Sequence, residues 1–284
     1  MKQALILFLA AIFFVTPFVA AAVFVAGSAG GAVMIALLAL LVMVLAVKSD
    51  VALHRIYGAR QVRSSTAPEL VMLAYTFADR AGLPRPRIAL FDSAQPNGFT
   101  TRSGRSERWT IVLSRALLSE LTREEAEAVI ALATARRRAG ALVQAQIAAT
   151  IGSTATIILN GSLIRRQSDN LRPVEAYGQA LASMTAPLAS VIVGSAHERL
   201  QIYRSDREAA SLLGNPLALA RTLSRLDGLA SEAENYAAER HPATAYLFVV
   251  NPLHTERLKE QFRVQASIED RVARLKRLSG VGLP

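Results

Sequence analysis

Cysteine is absent from the chain. Disulfides, iron–sulfur clusters and thiolate metal sites are therefore excluded, while the compartment stays open. Lysine is scarce, at Lys2, Lys48, Lys259 and Lys276 only, so the formal net charge of +10 is carried by arginine. Aromatic residues make up 6% of the sequence and are not interleaved with basic runs. A base-stacking surface has nothing to build on, and no nucleic-acid partner is expected. The four histidines, His54, His197, His241 and His254, include no pair at i, i+3 or i, i+4. There is no Gly-x-Ser-x-Gly elbow, no phosphate-cradling glycine loop and no internal repeat. The longest absence is of charge, since no charged side chain occurs from Gln3 to Val47.

That charge-free run has an internal break. Ala4 to Ala26 is long enough to cross a bilayer, for which about 20 apolar residues are needed. Thr16-Pro17 within it is tolerated with a kink. Gly27-Ser28-Ala29-Gly30-Gly31 interrupts the run, and Ala32 to Val47 resumes it. The pattern predicts a transmembrane helical hairpin over 1–48. A cleaved signal peptide fits poorly, because its apolar core spans about 7–15 residues and a polar mature start should follow. Lys48, Arg55, Arg60 and Arg63 come directly after the hairpin, which places that side in the cytoplasm by the positive-inside rule. The implied location is a bacterial inner membrane, with several spans and the soluble part facing the cytoplasm. Two further uncharged stretches, 139–164 and 176–196, are long enough to span. Gln144, Gln146 and Asn160 in the first, and Arg165, Arg166 and Arg172 between the two, leave two readings open. They form a second membrane hairpin, or two buried helices at the membrane surface.

The remaining sequence predicts a mostly helical α+β fold. Thr66-Ala67-Pro68-Glu69 reads as a capping box with proline in the first turn, and Gly82 closes the helix that follows. Ile88 to Phe91, Phe99 to Thr101 and Trp109 to Leu113 read as three short strands of a small sheet. Thr122-Arg123-Glu124-Glu125 opens a helix through Arg136. Further helices are expected over 198–213, from Pro216 through Leu226, and from Ser267 to near Leu278. The implied parts are 1–48, 49–138, 139–196 and 197–284. The second and last together make one domain.

Several of these segments carry a resemblance. Tyr57-Gly58-Ala59-Arg60 after the hairpin, Ala81-Gly82-Leu83-Pro84-Arg85-Pro86 before the first strand, and Gln95-Pro96-Asn97-Gly98-Phe99-Thr100 are three of them. Gly214-Asn215-Pro216 and the run from His241-Pro242 to Asn251-Pro252-Leu253 are the most specific. Over most of its length the chain resembles the HtpX-like membrane zinc endopeptidases. The resemblance implies a zincin-like peptidase domain and a peptide-receiving edge strand at Asn97, Gly98 and Phe99. It also implies a zinc ion held by His-Glu-x-x-His and a glutamate from a later helix.

In the register that the resemblance implies, the first histidine position is Leu132, the general-base position Ala133 and the second histidine position Arg136. The later glutamate position is Ile202, beside the retained family positions Tyr203 and Asp206. Leu132 and Ile202 offer no lone pair, Ala133 accepts no proton, and Arg136 is permanently charged. No catalytic residue and no metal ligand is therefore expected, and no cofactor, although zinc belongs to the family. Arg136 is expected to reach solvent or to pair with Glu198 or Asp206. The sequence thus reads as a non-catalytic pseudopeptidase that binds or regulates in membrane-protein quality control. Its expected partners are the lipid bilayer and a polypeptide client or a related membrane protease. The alternatives are an active zinc-dependent membrane endopeptidase and a basic membrane-surface protein that binds lipid or RNA.

Overall fold

The computed structural model describes residues 2–103, 107–138, 146, 149, 196–261 and 266–280. The expected pair of apolar segments, 139–164 and 176–196, falls almost wholly outside the described residues. Helix α1 (Lys2–Ile56) is broken at Ala26 and Gly27. Gly27 has φ 65° and ψ −162°, a conformation essentially restricted to glycine. The chain reverses there. A methyl group added to Gly31 would lie 2.5 Å from Val23 Cγ2 and 3.8 Å from Val19 Cγ1. A straight helix places residues 19 and 31 about 18 Å apart. Gly30 and Gly31 thus let the two arms meet. The second arm continues to Ile56, past the boundary expected at 48. Phe24, Val25, Val33, Ile35, Leu37, Leu40 and Met43 all stand exposed on the hairpin. Over the described residues no helix is long and apolar enough to cross a membrane. The bilayer assignment therefore rests on the charge-free run of the sequence.

The sheet follows. Strands β1 (Arg60–Val62), β2 (Arg87–Phe91), β3 (Gly98–Arg102) and β4 (Trp109–Ser114) lie in the order β1-β2-β4-β3. β1 pairs antiparallel with β2, β2 parallel with β4, and β3 antiparallel with β4. β3 is therefore an edge strand, and Gly98 sits opposite Leu113. β1 was not expected. It is short, polar and mostly exposed, so it carries no hydrophobic alternation to announce it. Helix α2 (Pro68–Arg80) covers the sheet, but it begins at Ala67 without a side-chain cap. This corrects the capping box expected at Thr66 and Glu69: the helix starts one residue later than that box requires.

Helices α3 (Arg115–Glu120) and α4 (Arg123–Arg138) come next. The capping box of α4 forms as expected: Thr122 N donates to Glu125 Oε2 at 2.9 Å, and Glu125 N to Thr122 Oγ1 at 3.4 Å. Helix α4 is buried from Ala128 to Arg137 and packs on α5 (Ala196–Leu213), α2 and α6 (Pro216–Glu232). Short α7 (Tyr236–Arg240), a 3₁₀ turn (Pro242–Leu247), α8 (Glu256–Gln261) and α9 (Ile268–Leu278) complete the chain. Ser267 caps α9 as expected, accepting from Asp270 N at 3.2 Å. The main core joins Trp109, Ile111 and Leu113 of the sheet to Ile130 and Leu132 of α4 and Leu223 of α6.

A second, smaller core is aromatic. Tyr57, Phe91, Phe99 and Phe248 meet with ring centroids 4.9–6.3 Å apart. It ties the end of α1 and the sheet to the segment after the 3₁₀ turn. Gly98 lets β3 lie close against β4, since a methyl group there would meet Leu113 Cδ2 at 2.7 Å and Val112 O at 3.0 Å. Gly98→Ala should therefore lower stability by about 1–3 kcal/mol, read as a fall in the denaturation midpoint of the detergent-solubilised chain.

Candidate functional site

The four family positions lie where the main-core helices meet. On α4, Leu132 and Arg136 share one face, four residues apart, with Ala133 beside them. Ile202 stands on α5, which packs against α4. All four are buried: Leu132 is 0%, Ala133 2%, Arg136 8% and Ile202 9% exposed. Three side chains carry no donor or acceptor. The fourth is a guanidinium, and its contacts decide what this site is.

Arg136 Nη1 donates to Leu247 O at 2.8 Å and to Phe248 O at 2.7 Å. Its Nη2 reaches Val249 O at 3.4 Å. The expectation of solvent, or of Asp206, is thereby corrected. Residues 247–249 are buried and outside any regular ladder, so their carbonyls need donors, and one planar fork satisfies three in a row. The side chain of Glu198 lies outside the described residues.

Asp206 has a different partner. Arg271 of α9 grips it twice, Nε to Oδ2 at 2.8 Å and Nη2 to Oδ1 at 2.7 Å. Arg271 Nη1 then donates to Val249 O at 2.8 Å. One turn away, Arg274 lies 3.9 Å above the ring of Tyr203. Arginines at i and i+3 of α9 thus hold the retained positions i and i+3 of α5. Tyr203 and Asp206 act as docking points for α9.

The three residues expected to receive a peptide are buried and occupied. Asn97 Nδ2 donates to Val250 O at 3.0 Å, and Val250 N returns to Asn97 Oδ1 at 3.4 Å. Val249 N donates to Gly98 O at 2.9 Å, and Phe99 bridges Phe248 in antiparallel fashion. The chain's own residues 248–250 therefore lie along this part of β3. Nearby, Gln95 Nε2 faces the carbonyls of Ala230, Ala233 and Pro252 at 2.8–3.1 Å. Tyr57 Oη shares a hydrogen bond with Thr244 Oγ1. Sequence reasoning missed Gln95, Arg271 and the 247–250 segment as parts of this site. Polar side chains inside the resembling motifs were the available signal.

The donor set does not fit a divalent metal. A guanidinium offers no lone pair, and its fixed charge repels a cation. Among the described residues, no cluster of three or more His, Cys, Asp or Glu side chains could hold a metal ion.

Comparison with known proteins agrees at the level of fold. No family model matches the chain. Among solved structures it is similar to Ste24p of S. mikatae, with a TM-score of 0.50 and 16% identity over 97% of this chain. The chain therefore shares its fold with that structure. The chain spans 65% of the length of that structure. At this identity the likeness concerns architecture, not activity.

Two expectations follow. The Asp206–Arg271 pair is almost fully buried, with side chains 4% and 1% exposed. Asp206→Ala should destabilise by about 3–5 kcal/mol by stranding Arg271, and Asp206→Leu combined with Arg271→Met should recover part of that loss. Denaturant unfolding of the three proteins checks this.

His241 carries the second expectation. Its Nδ1 is buried with no partner among the described residues. Burial, then Arg240, lowers its pKa from 6.5 to about 4. Between these values the unfolded chain binds the extra proton, so stability is full above about pH 6.5 and falls as pH drops towards 4. His241→Gln should flatten that slope in unfolding midpoints measured from pH 7 to 4.

Proposed function

We propose that this protein is a membrane-anchored, HtpX-like peptidase homologue without catalytic activity, acting by binding in membrane-protein quality control. One observation carries the reading. The guanidinium at the second histidine position is committed to three backbone carbonyls, with Leu132, Ala133 and Ile202 at the other functional positions. Peptide hydrolysis in this fold class uses a metal-activated water and a carboxylate base. This chain has an aliphatic, methyl or guanidinium side chain at each of those stations. Leu132 and Ala133 belong to the main buried core. An intact core with apolar replacements is consistent with selection for a scaffold.

Membrane anchoring is supported by the charge-free run and by the exposed apolar side chains along the hairpin, which are far more than a soluble surface carries. Lys48, Arg55, Arg60 and Arg63 at its base put the domain on the cytoplasmic face of a bacterial inner membrane. The partner is a polypeptide client or a related membrane protease.

Metal analysis of the purified, detergent-solubilised chain tests the proposal. The expected result is substoichiometric zinc that a chelator strips without changing the melting temperature. An equivalent of chelator-resistant zinc overturns the proposal in favour of an active zinc endopeptidase. The variant carrying Leu132→His, Ala133→Glu, Arg136→His and Ile202→Glu should gain one zinc per chain, since the ligand set then matches a tetrahedral site with water.

A further inference from the structure

We infer that Arg136 is a built-in closure of the β3 edge. From the position of the second metal ligand it holds the chain's own residues 247–249 where an extended peptide would add, so partners engage this protein elsewhere. The inference rests on the functional reading above only for the meaning of position 136. The contacts themselves are independent of it.

The edge can be followed residue by residue. Ser114 N donates to Asn97 O at 2.9 Å and Ser103 N to Arg108 O at 2.9 Å. Residues 97 and 103 therefore point their backbone groups at β4, and so do 99 and 101 between them, by the alternation of an antiparallel pair. Residues 98, 100 and 102 point theirs outward, towards any incoming strand. Gly98 O is taken by Val249 N. At the far end, Arg102 N donates to Gln146 Oε1 at 2.7 Å, and Gln146 Nε2 donates back to Arg102 O at 3.0 Å. A side-chain amide thus stands in for a neighbouring peptide group. Between the two, Thr100 turns its hydroxyl to Ala133 O at 3.2 Å, tying the strand to α4 at the general-base position. A strand-like segment closes one half of the edge, and a glutamine the other.

This closure is not a loose lid. Leu247, Phe248, Val249 and Val250 are each 1% exposed or less. Peeling them away exposes four apolar side chains, removes Phe248 from the aromatic core and strands the donors of Arg136, Arg271 and Asn97. A peptide adding at β3 restores only a few backbone hydrogen bonds. Burial therefore outweighs strand addition, and the edge stays shut.

The test uses the full chain in detergent, and its lack of native cysteine makes a lock simple. Phe99 and Phe248 form a close antiparallel pair, so Phe99→Cys with Phe248→Cys creates a single disulfide across the seam. Binding of reduced, carboxymethylated α-lactalbumin, and of any partner recovered from membranes, is compared between wild type and the oxidised and reduced forms of this variant. Amide hydrogen exchange at 247–250 is followed in wild type, Arg136→Met and Arg136→Lys.

The expected result is unchanged binding on oxidation, and exchange at Phe248 and Val249 faster by about tenfold or more in Arg136→Met. Loss of binding on oxidation, regained on reduction, overturns the closure while leaving polypeptide binding intact. Unchanged exchange in a folded Arg136→Met also overturns it; Arg136→Lys, which keeps the charge but not the fork, serves where the methionine variant does not fold. If no form binds any polypeptide while exchange behaves as expected, the closure stands and the polypeptide-client part of the proposed function falls.

Discussion

Backbone carbonyls buried outside any helix or sheet must find donors, and in this protein that demand falls on residues 247–250. The segment runs through the middle of the domain between β3, α4 and α9. Among the described residues it makes a single isolated bridge to the sheet and no ladder. Its carbonyls are satisfied by three side chains from three separate places: Arg136, Arg271 and Asn97. Each of these side chains is positioned by its own element, so satisfying one short segment fixes α4, α9 and β3 relative to one another. A buried amide or carbonyl left without a partner costs about 1–3 kcal/mol, and several such groups lie here within four residues.

Arginine suits this task for reasons of shape. Its guanidinium presents five donors in a rigid plane, which lets Arg136 address successive carbonyls and lets Arg271 hold a carboxylate with one edge and a carbonyl with the other. In the register implied by the resemblance to the HtpX-like peptidases, position 136 would carry a metal ligand. Here its fixed cation is an organic one on the chain itself, and what it binds is backbone. A catalytic metal keeps an open position for water and substrate, whereas this guanidinium donates to backbone carbonyls of its own chain.

Much of this was legible in the sequence, and the parts that were not share a cause. The caps at Thr122 and Ser267 are local, as are the three strand cores, and all formed where short-range patterns put them. The break at Gly27 also followed from local composition. The four substituted positions were found by register against a resembling family, and their burial is consistent with the apolar residues there. What the sequence did not disclose were partners more than a hundred residues away: Arg136 with Phe248, Asn97 with Val250, and Gln95 with Ala230. A charge at position 136 suggested an acid because acids are the usual partners of buried arginines. That the guanidinium also serves buried carbonyls depends on which irregular segment passes by, and that is set by topology. The start of α2 is a local error, where Thr66 lies a residue too early to cap.

The central claim is that the guanidinium of Arg136 holds the 247–249 segment in place. Equilibrium unfolding of Arg136→Met, compared with wild type in the same detergent, tests it most directly. The account predicts a loss of about 3 kcal/mol or more, because several buried carbonyls lose their donor while the side-chain stem still fills the space. A loss within about 0.5 kcal/mol, the range of an ordinary surface substitution, would contradict it.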